Sequence, residues 1–330
     1  MNRGTLSLFT GAGFTYNFGA PLAQTMWSWI FNQPRIQSSR KLVRLLQNNL
    51  DYEGAYYSVM TGGYTDAEKD AMRLAMSEAY EKVDEIVRSP EIGECTIHGV
   101  NIERVQKLIA GFAGSTGNPG YFFTLNQDLF IERNYYNGPK LHVPGVPPDR
   151  RWFDVNYFVP LSARDFRRIP GQEELEDIKR NPPVSPFYYI KLHGSYNWRS
   201  DEQSEYMVIG RNKDEMIDRE PLLAWYLSVF KEVVSSDNAH LMIIGYSFSD
   251  AHINGIIASA VRKRGLKLHI ISPQSPKSLR DSLKEKPQID GLWEGLSGYY
   301  PYKLKEIFPT GHSETEIWKA IEEQFFRREL

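Results

Sequence analysis

The sequence predicts an α/β protein built on a doubly wound, mostly parallel sheet, with a helical insertion and a long proline-rich loop. Three observations lead there. Two apolar runs, 240–245 and 266–271, flank a helical pattern over 251–263, which gives strand, helix and strand within about thirty residues, the unit of a parallel sheet. Further apolar runs of strand length stand at 5–9, 120–125 and 187–192. Most of these runs end on glycine or small polar residues, as strands do when they feed binding loops at a sheet edge.

Taken in order, Thr5-Leu6-Ser7-Leu8-Phe9 reads as the first strand, ending at Thr10-Gly11-Ala12-Gly13, with no leader expected before it. Helical patterns then cover 22–31, 39–49, 66–88 and 101–112. The strand at 120–125 exits into the polar triplet Asn126-Gln127-Asp128. Residues 139–186 hold nine of the nineteen prolines and predict an extended loop or lid, because proline breaks regular core elements. After the strands at 187–192, 240–245 and 266–271, Ile317, Trp318, Ile321, Phe325 and Phe326 recur at helical spacing and predict a closing helix over 314–328. The expected organisation is an α/β domain from 1–34 and 113–310, a helical insertion at 35–112 and a C-terminal helix over 311–330.

The chain has 330 residues, 41% hydrophobic and 24% charged, a composition that folds rather than stays disordered. Its 39 lysines and arginines nearly balance 41 aspartates and glutamates, so no bulk field draws it to nucleic acid or membrane. The basic clusters Arg164, Arg167, Arg168 and Arg262, Lys263, Arg264, Lys267 read as solvated faces, and direct nucleic-acid binding is disfavoured. The single cysteine, Cys95, excludes an internal disulfide and a multi-thiolate zinc site. No apolar run approaches the roughly eighteen residues of a membrane span, and the expected location is the cytoplasm.

Four strand exits carry candidate chemistry. Gly11-Ala12-Gly13-Phe14-Thr15 suits a phosphate loop, where glycine lets backbone approach a pyrophosphate; a tight strand-to-helix turn explains it equally. The full dinucleotide fingerprint is incomplete, since Tyr16 stands where a third glycine would be. Asn126 can donate and accept at once, which suits ribose hydroxyls or a water, while Asp128 reads as well as a helix cap. His193, followed by Gly194-Ser195, ends a strand on the same sheet edge. Gly245-Tyr246-Ser247 follows the next strand, with Ser249 or Asp250 a ready cap, and Ser272 follows the one after. Among the remaining histidines, which show no metal-ligand spacing, His252 lies nearest to interest.

Together, Gly11-Ala12-Gly13-Phe14-Thr15, Thr124-Leu125-Asn126-Gln127-Asp128, Lys191-Leu192-His193-Gly194-Ser195 and Gly245-Tyr246-Ser247 resemble the sirtuin superfamily in identity and order. More closely they look like the bacterial sirtuin-like NAD hydrolases of anti-phage defence. The resemblance implies a Rossmann-like fold with NAD as substrate and no metal. By match it puts the pyrophosphate on Gly11, Ala12, Gly13, Phe14 and Thr15, the catalytic asparagine and histidine on Asn126 and His193, an acidic residue near nicotinamide on Asp128, and nucleotide contacts on Gly245, Tyr246, Ser247 and Ser272. It also implies a homo-oligomer and a separately encoded sensor, such as a motor ATPase or an Argonaute-type protein. Two departures bear on the activity: the four-cysteine zinc module of the deacylases is missing, and the stretch from Asn126 to His193 is longer than theirs. The expected reaction is hydrolysis of NAD to nicotinamide and ADP-ribose, with abortive infection as its purpose. The rivals are an NAD-dependent protein deacylase and a non-catalytic module sensing NAD or ADP-ribose.

Overall fold

The computed structural model describes residues 4–88, 96–146, 167–199, 217, 220–286, 288–311 and 313–327. Cys95, Arg164, His312 and residues 147–166 of the proline-rich stretch lie outside them. The main sheet has six strands, numbered along the chain as β1 (Leu6–Thr10), β2 (Gly120–Thr124), β3 (Phe187–Lys191), β4 (His240–Ile244), β5 (Lys267–Ile271) and β6 (Leu296–Tyr300). Their spatial order is β6-β5-β4-β1-β2-β3, and every neighbouring pair is parallel. The chain steps from β1 outward through β2 and β3, then crosses back to lay β4 on the other side of β1. The chain therefore runs on in opposite directions after β1 and after β4, and a crevice lies at the turns where the winding reverses.

A parallel sheet is covered on both faces, which is why its strands read as continuous apolar runs. All five residues of β4 are buried, as are Ser7 to Thr10 of β1. On one face the helix Pro221–Val234 sets Phe230 against Phe9 and Phe123, with ring centroids 5.5 and 4.9 Å apart. The closing helix packs by Phe325, whose ring lies 4.7 Å from that of His269 and 6.3 Å from that of His240. It begins later than the pattern predicts, at Glu316, where the Thr315 side chain accepts from the Trp318 amide, and it widens into a π-helical turn over Glu322–Arg327.

Between β1 and β2 the predicted helices form at Ala23–Phe31, Arg40–Asn48, Asp66–Val87 and Ile102–Ala110, joined by the unpredicted Pro34–Gln37 and Tyr52–Thr61. A capping box of Thr65 and Glu68 starts the longest one. Near its far end, buried Asp84 accepts two hydrogen bonds from the fully buried Arg133 guanidinium, at 2.8 and 2.7 Å. Losing one partner of such a pair costs about 3–5 kcal/mol, because the other charge stays buried and unmatched. The pair fixes the long helix against Phe130–Asn134, the short helix that follows the exit of β2.

The proline-rich stretch corrects one expectation. Residues 172–180 form a helix inside the segment read as an extended loop. Prolines 170 and 182 bracket it and none lies within it, its first turn is acidic, its last turn is basic, and Leu175 is buried. Ahead of it, His142 pairs along β3, its amide donating to the Phe187 carbonyl at 2.9 Å and its carbonyl accepting from the Tyr189 amide at 2.8 Å, which covers that sheet edge.

Candidate active site

At the crevice, two loops meet backbone to backbone. The Gly11 amide donates to the Ile244 carbonyl at 3.1 Å, and the Gly13 amide to the Gly245 carbonyl at 2.8 Å. A Cβ on Gly11 would lie 2.8 Å from the Gly245 oxygen, and one on Gly13 2.8 Å from the Gly245 Cα. Gly245 itself has φ +66°, and a Cβ there would lie 2.1 Å from the Phe14 nitrogen. Glycine is thus required on both sides for the two loops to pack backbone to backbone, and together they make a glycine cradle at the edge of the crevice.

The cradle opens into a cavity of about 1270 Å³ that spans the carboxyl ends of the strands. Gly11, Ala12, Gly13 and Thr15 line it from β1, Asn126 and Asp128 from β2, His193 from β3, Gly245, Tyr246 and Ser247 from β4, and Ser272 from β5. Phe14 does not. Third in the helix Ala12–Tyr16, its side chain turns into the core, the ring 5.5 Å from Phe18 and 5.7 Å from Phe130. Its aromatic face is spent on packing, so only its backbone faces the loop.

Asn126 is held from two directions. Its amide donates to Thr124 Oγ1 at 3.0 Å, and Thr124 Oγ1 accepts from Thr10 Oγ1 at 2.8 Å; its side-chain Nδ2 donates to Thr15 Oγ1 at 3.3 Å. The asparagine and the glycine loop are thereby one unit. His193 is 3% exposed, precedes Gly194 at φ +74°, and sets its Nε2 3.3 Å from Nε2 of His252. At that distance one imidazole can donate to the other, with the tautomers deciding which. His252 also lines the cavity. Its signal in the sequence is a place in the first turn of the helix Ala251–Arg264, directly after the Gly245 turn.

Sequence reasoning missed two further residues. The Gln127 amide Nε2 donates to the His193 carbonyl at 3.3 Å, and its Oε1 accepts from the Tyr80 hydroxyl of the helical segment. Tyr246 lines the cavity but sends its hydroxyl to Asn254 Oδ1 at 2.9 Å, and Asn254 Nδ2 donates to the Phe248 carbonyl at 2.9 Å. Phe248 sits at φ +56°, a conformation that costs about 1–3 kcal/mol for a bulky residue and persists only where neighbours impose it.

Asp128 is partly buried and lines the cavity, and its Oδ1 accepts from the Phe130 amide at 3.0 Å; that bond closes a turn, and the helix-cap reading is corrected, since Leu129 is the residue at the helix start and no side chain caps it. Burial pushes its carboxyl above the ordinary range, against the opposing pull of Lys191. The Lys191 ammonium donates to the Asp128 carbonyl at 2.6 Å and to Glu132 Oε1 at 2.9 Å. Glu132 is raised likewise, by burial first. Among the described residues no three His, Cys, Asp or Glu side chains gather as a metal site, and no helix is long and apolar enough to cross a membrane.

The chain matches the model of the SIR2-like domain family over residues 120–292. Among solved structures it is similar to a Sir2 homologue mutant–ADP ribose complex, with 14% identity, 93% of this chain and 89% of that one covered, and a TM-score of 0.41. It is similar also to a Sir2 homologue–NAD complex, with 15% identity, 93% and 87% covered, and the same TM-score, 0.41. No curated protein matches.

Proposed function

This chain belongs to the SIR2-like domain family, and on that premise we propose that it is an NAD hydrolase, cleaving the nicotinamide–ribose bond to give nicotinamide and ADP-ribose. The observation that carries the reading is that Asn126, His193 and the glycine cradle all line one cavity, with Asn126 bonded to the cradle through Thr15. In this reading residues 1–34 and 113–310 make the NAD-binding unit, 35–112 the insertion and 311–330 the closing element. The diphosphate rests at Gly11, Gly13 and Gly245, where backbone approach is closest.

Nicotinamide leaves as a neutral molecule from a pyridinium, so its departure needs no proton. The protein must steady an oxocarbenium-like ribose and guide one water that loses a proton as it attacks. Asn126 orients the water or the ribose hydroxyls. His193 accepts the proton directly or through a ribose hydroxyl, and His252 is the next group in line. The ADP-ribose product keeps the diphosphate that the cradle holds.

The test is to incubate purified protein with NAD, alone and with candidate sensor partners, and resolve the products. Nicotinamide and ADP-ribose are expected, with Asn126→Ala and His193→Ala each lowering turnover by about 100-fold or more. Unchanged turnover in both variants refutes the reading. The deacylase rival wins if an acetylated peptide yields O-acetyl-ADP-ribose, and the sensing module wins if NAD binds with no product under any condition. Service in anti-phage defence, as a homo-oligomer or under a separately encoded sensor, is part of the same proposal.

A further inference from the structure

The dinucleotide proposed above has two unlike ends, and so has the cavity. Toward β2 and the helical segment its charged lining is acidic, with Asp51, Glu53 and Asp128; beyond β4 it turns basic, with Lys286, Lys303 and Lys305. A ligand with its diphosphate at the β1–β4 glycines and its pyridinium facing Asn126 and His193 has one direction left for its adenosine, toward β5 and β6. The strands there offer Ser272 and Gln274 at the exit of β5 and the two lysines after β6. The remaining carboxylate of the lining, Asp250, stands at the exit of β4, at the start of the helix Ala251–Arg264.

The lysines are carried by segments fastened to the cradle. Lys286 Nζ donates to Ser249 Oγ at 3.2 Å, and that oxygen also accepts from Ser247 Oγ at 3.1 Å. Lys303 and Lys305 flank Leu304, whose amide donates to Asn17 Oδ1 at 3.2 Å, while Asn17 Nδ2 donates to the Gly13 carbonyl at 2.7 Å. Among the described residues no carboxylate forms an ion pair with any of the three ammonium groups. A site for an unmodified ribose diol characteristically offers a carboxylate to its hydroxyls, whereas a site for a 2′-phosphate offers a cation.

We propose that the β5–β6 end of the cavity is a subsite for a phosphomonoester on the adenosine ribose, and that the preferred substrate is the 2′-phosphorylated dinucleotide, NADP, over NAD. The proposal rests on the dinucleotide reading of the cavity. A phosphomonoester carries close to two charges near neutrality, and three lysines supply charge-assisted donors to it, with the Ser272 hydroxyl and the Gln274 amide beside them.

Calorimetric titration at low salt with NAD, NADP, AMP and adenosine 2′,5′-bisphosphate tests it without relying on turnover. NADP should bind about tenfold or more tightly than NAD, the bisphosphate should exceed AMP by a similar factor, and both preferences should shrink as salt screens the lysines. In the triple variant Lys286→Ala, Lys303→Ala, Lys305→Ala the ratio should fall to about one, while arginine at the three positions should retain it; a thermal melt verifies folding of each variant. NAD binding as tightly as NADP to the unmodified protein, or a preference that survives the triple alanine variant, overturns the subsite and leaves the NAD reading standing. Failure of both dinucleotides to bind overturns that reading, and the subsite with it.

Discussion

Replacing Gly13 with alanine pits two effects against each other. Gly13 lies in the helix Ala12–Tyr16, where alanine is favoured over glycine by roughly 0.5–1 kcal/mol. Against that, the new Cβ would sit 2.8 Å from Gly245 Cα, 2.9 Å from its oxygen and 3.2 Å from its carbonyl carbon, all backbone atoms that cannot rotate aside. Ordinary contact begins near 3.4 Å, so the two loops must part by about 0.6 Å, stretching the 2.8 Å hydrogen bond from the Gly13 amide to the Gly245 carbonyl. Weakening that bond forfeits up to about 1 kcal/mol, which cancels the helix gain, and the net change in stability should be small. Binding should not be spared. A shift of about 0.6 Å in the proposed diphosphate cradle takes a donor out of hydrogen-bond range, and losing one hydrogen bond to a charged group, about 1.5–3 kcal/mol, should weaken NAD by roughly ten- to a hundredfold. The assay is calorimetric titration of NAD beside a thermal melt, with Gly117→Ala as control, since a Cβ there meets nothing within 4 Å. NAD binding to Gly13→Ala at the unmodified affinity would refute the reasoning that the glycine contact shapes the site.

His252→Ala should lower kcat for NAD cleavage by about tenfold or more with little change in KM, and adding it to His193→Ala should cost nothing further, because paired imidazoles act as one unit; additive losses in steady-state kinetics would contradict a shared role. Asp128→Asn tests the sign of a linkage. The native carboxyl holds its proton above the ordinary value of 3.8, so between that pH and its raised value the folded chain binds more protons than the unfolded one, and stability falls as pH rises through the window. The asparagine variant should therefore melt higher than the unmodified protein near neutrality, with the gain vanishing in acid below the window. Melts that show no gain at neutral pH, or a gain that grows in acid, would overturn the assignment of burial as the dominant influence on that carboxyl.

Strands β1 to β5 were legible because strands covered on both faces are apolar throughout, and five short runs announce them. β6 was not: it lies at the sheet edge, most of its residues are only partly buried, and Gly298 interrupts it, so no apolar run marks Leu296–Tyr300. The helix at 172–180 was hidden by counting prolines over a long window, when their positions at its two borders were the informative feature. Asn126 and His193 could be singled out because each lies two positions past the end of a strand. Tyr80 and Gln127 could not, because their pairing joins a helix to a loop across 47 positions of chain.

From its sequence alone this protein declares its strand runs, the glycines that allow tight turns after them, and the polar residues that those turns present, since each is written within a short window of residues. Which turns become neighbours is decided only in three dimensions. Setting β4 against β1 places Gly245 on Gly11 and Gly13, brings His252 to His193, and gathers the strand exits around one cavity. Those adjacencies follow from the pairing of strands more than two hundred residues apart, as Leu6 with His240, and pairing at that distance is selected by burial of the whole sheet, which no local pattern encodes.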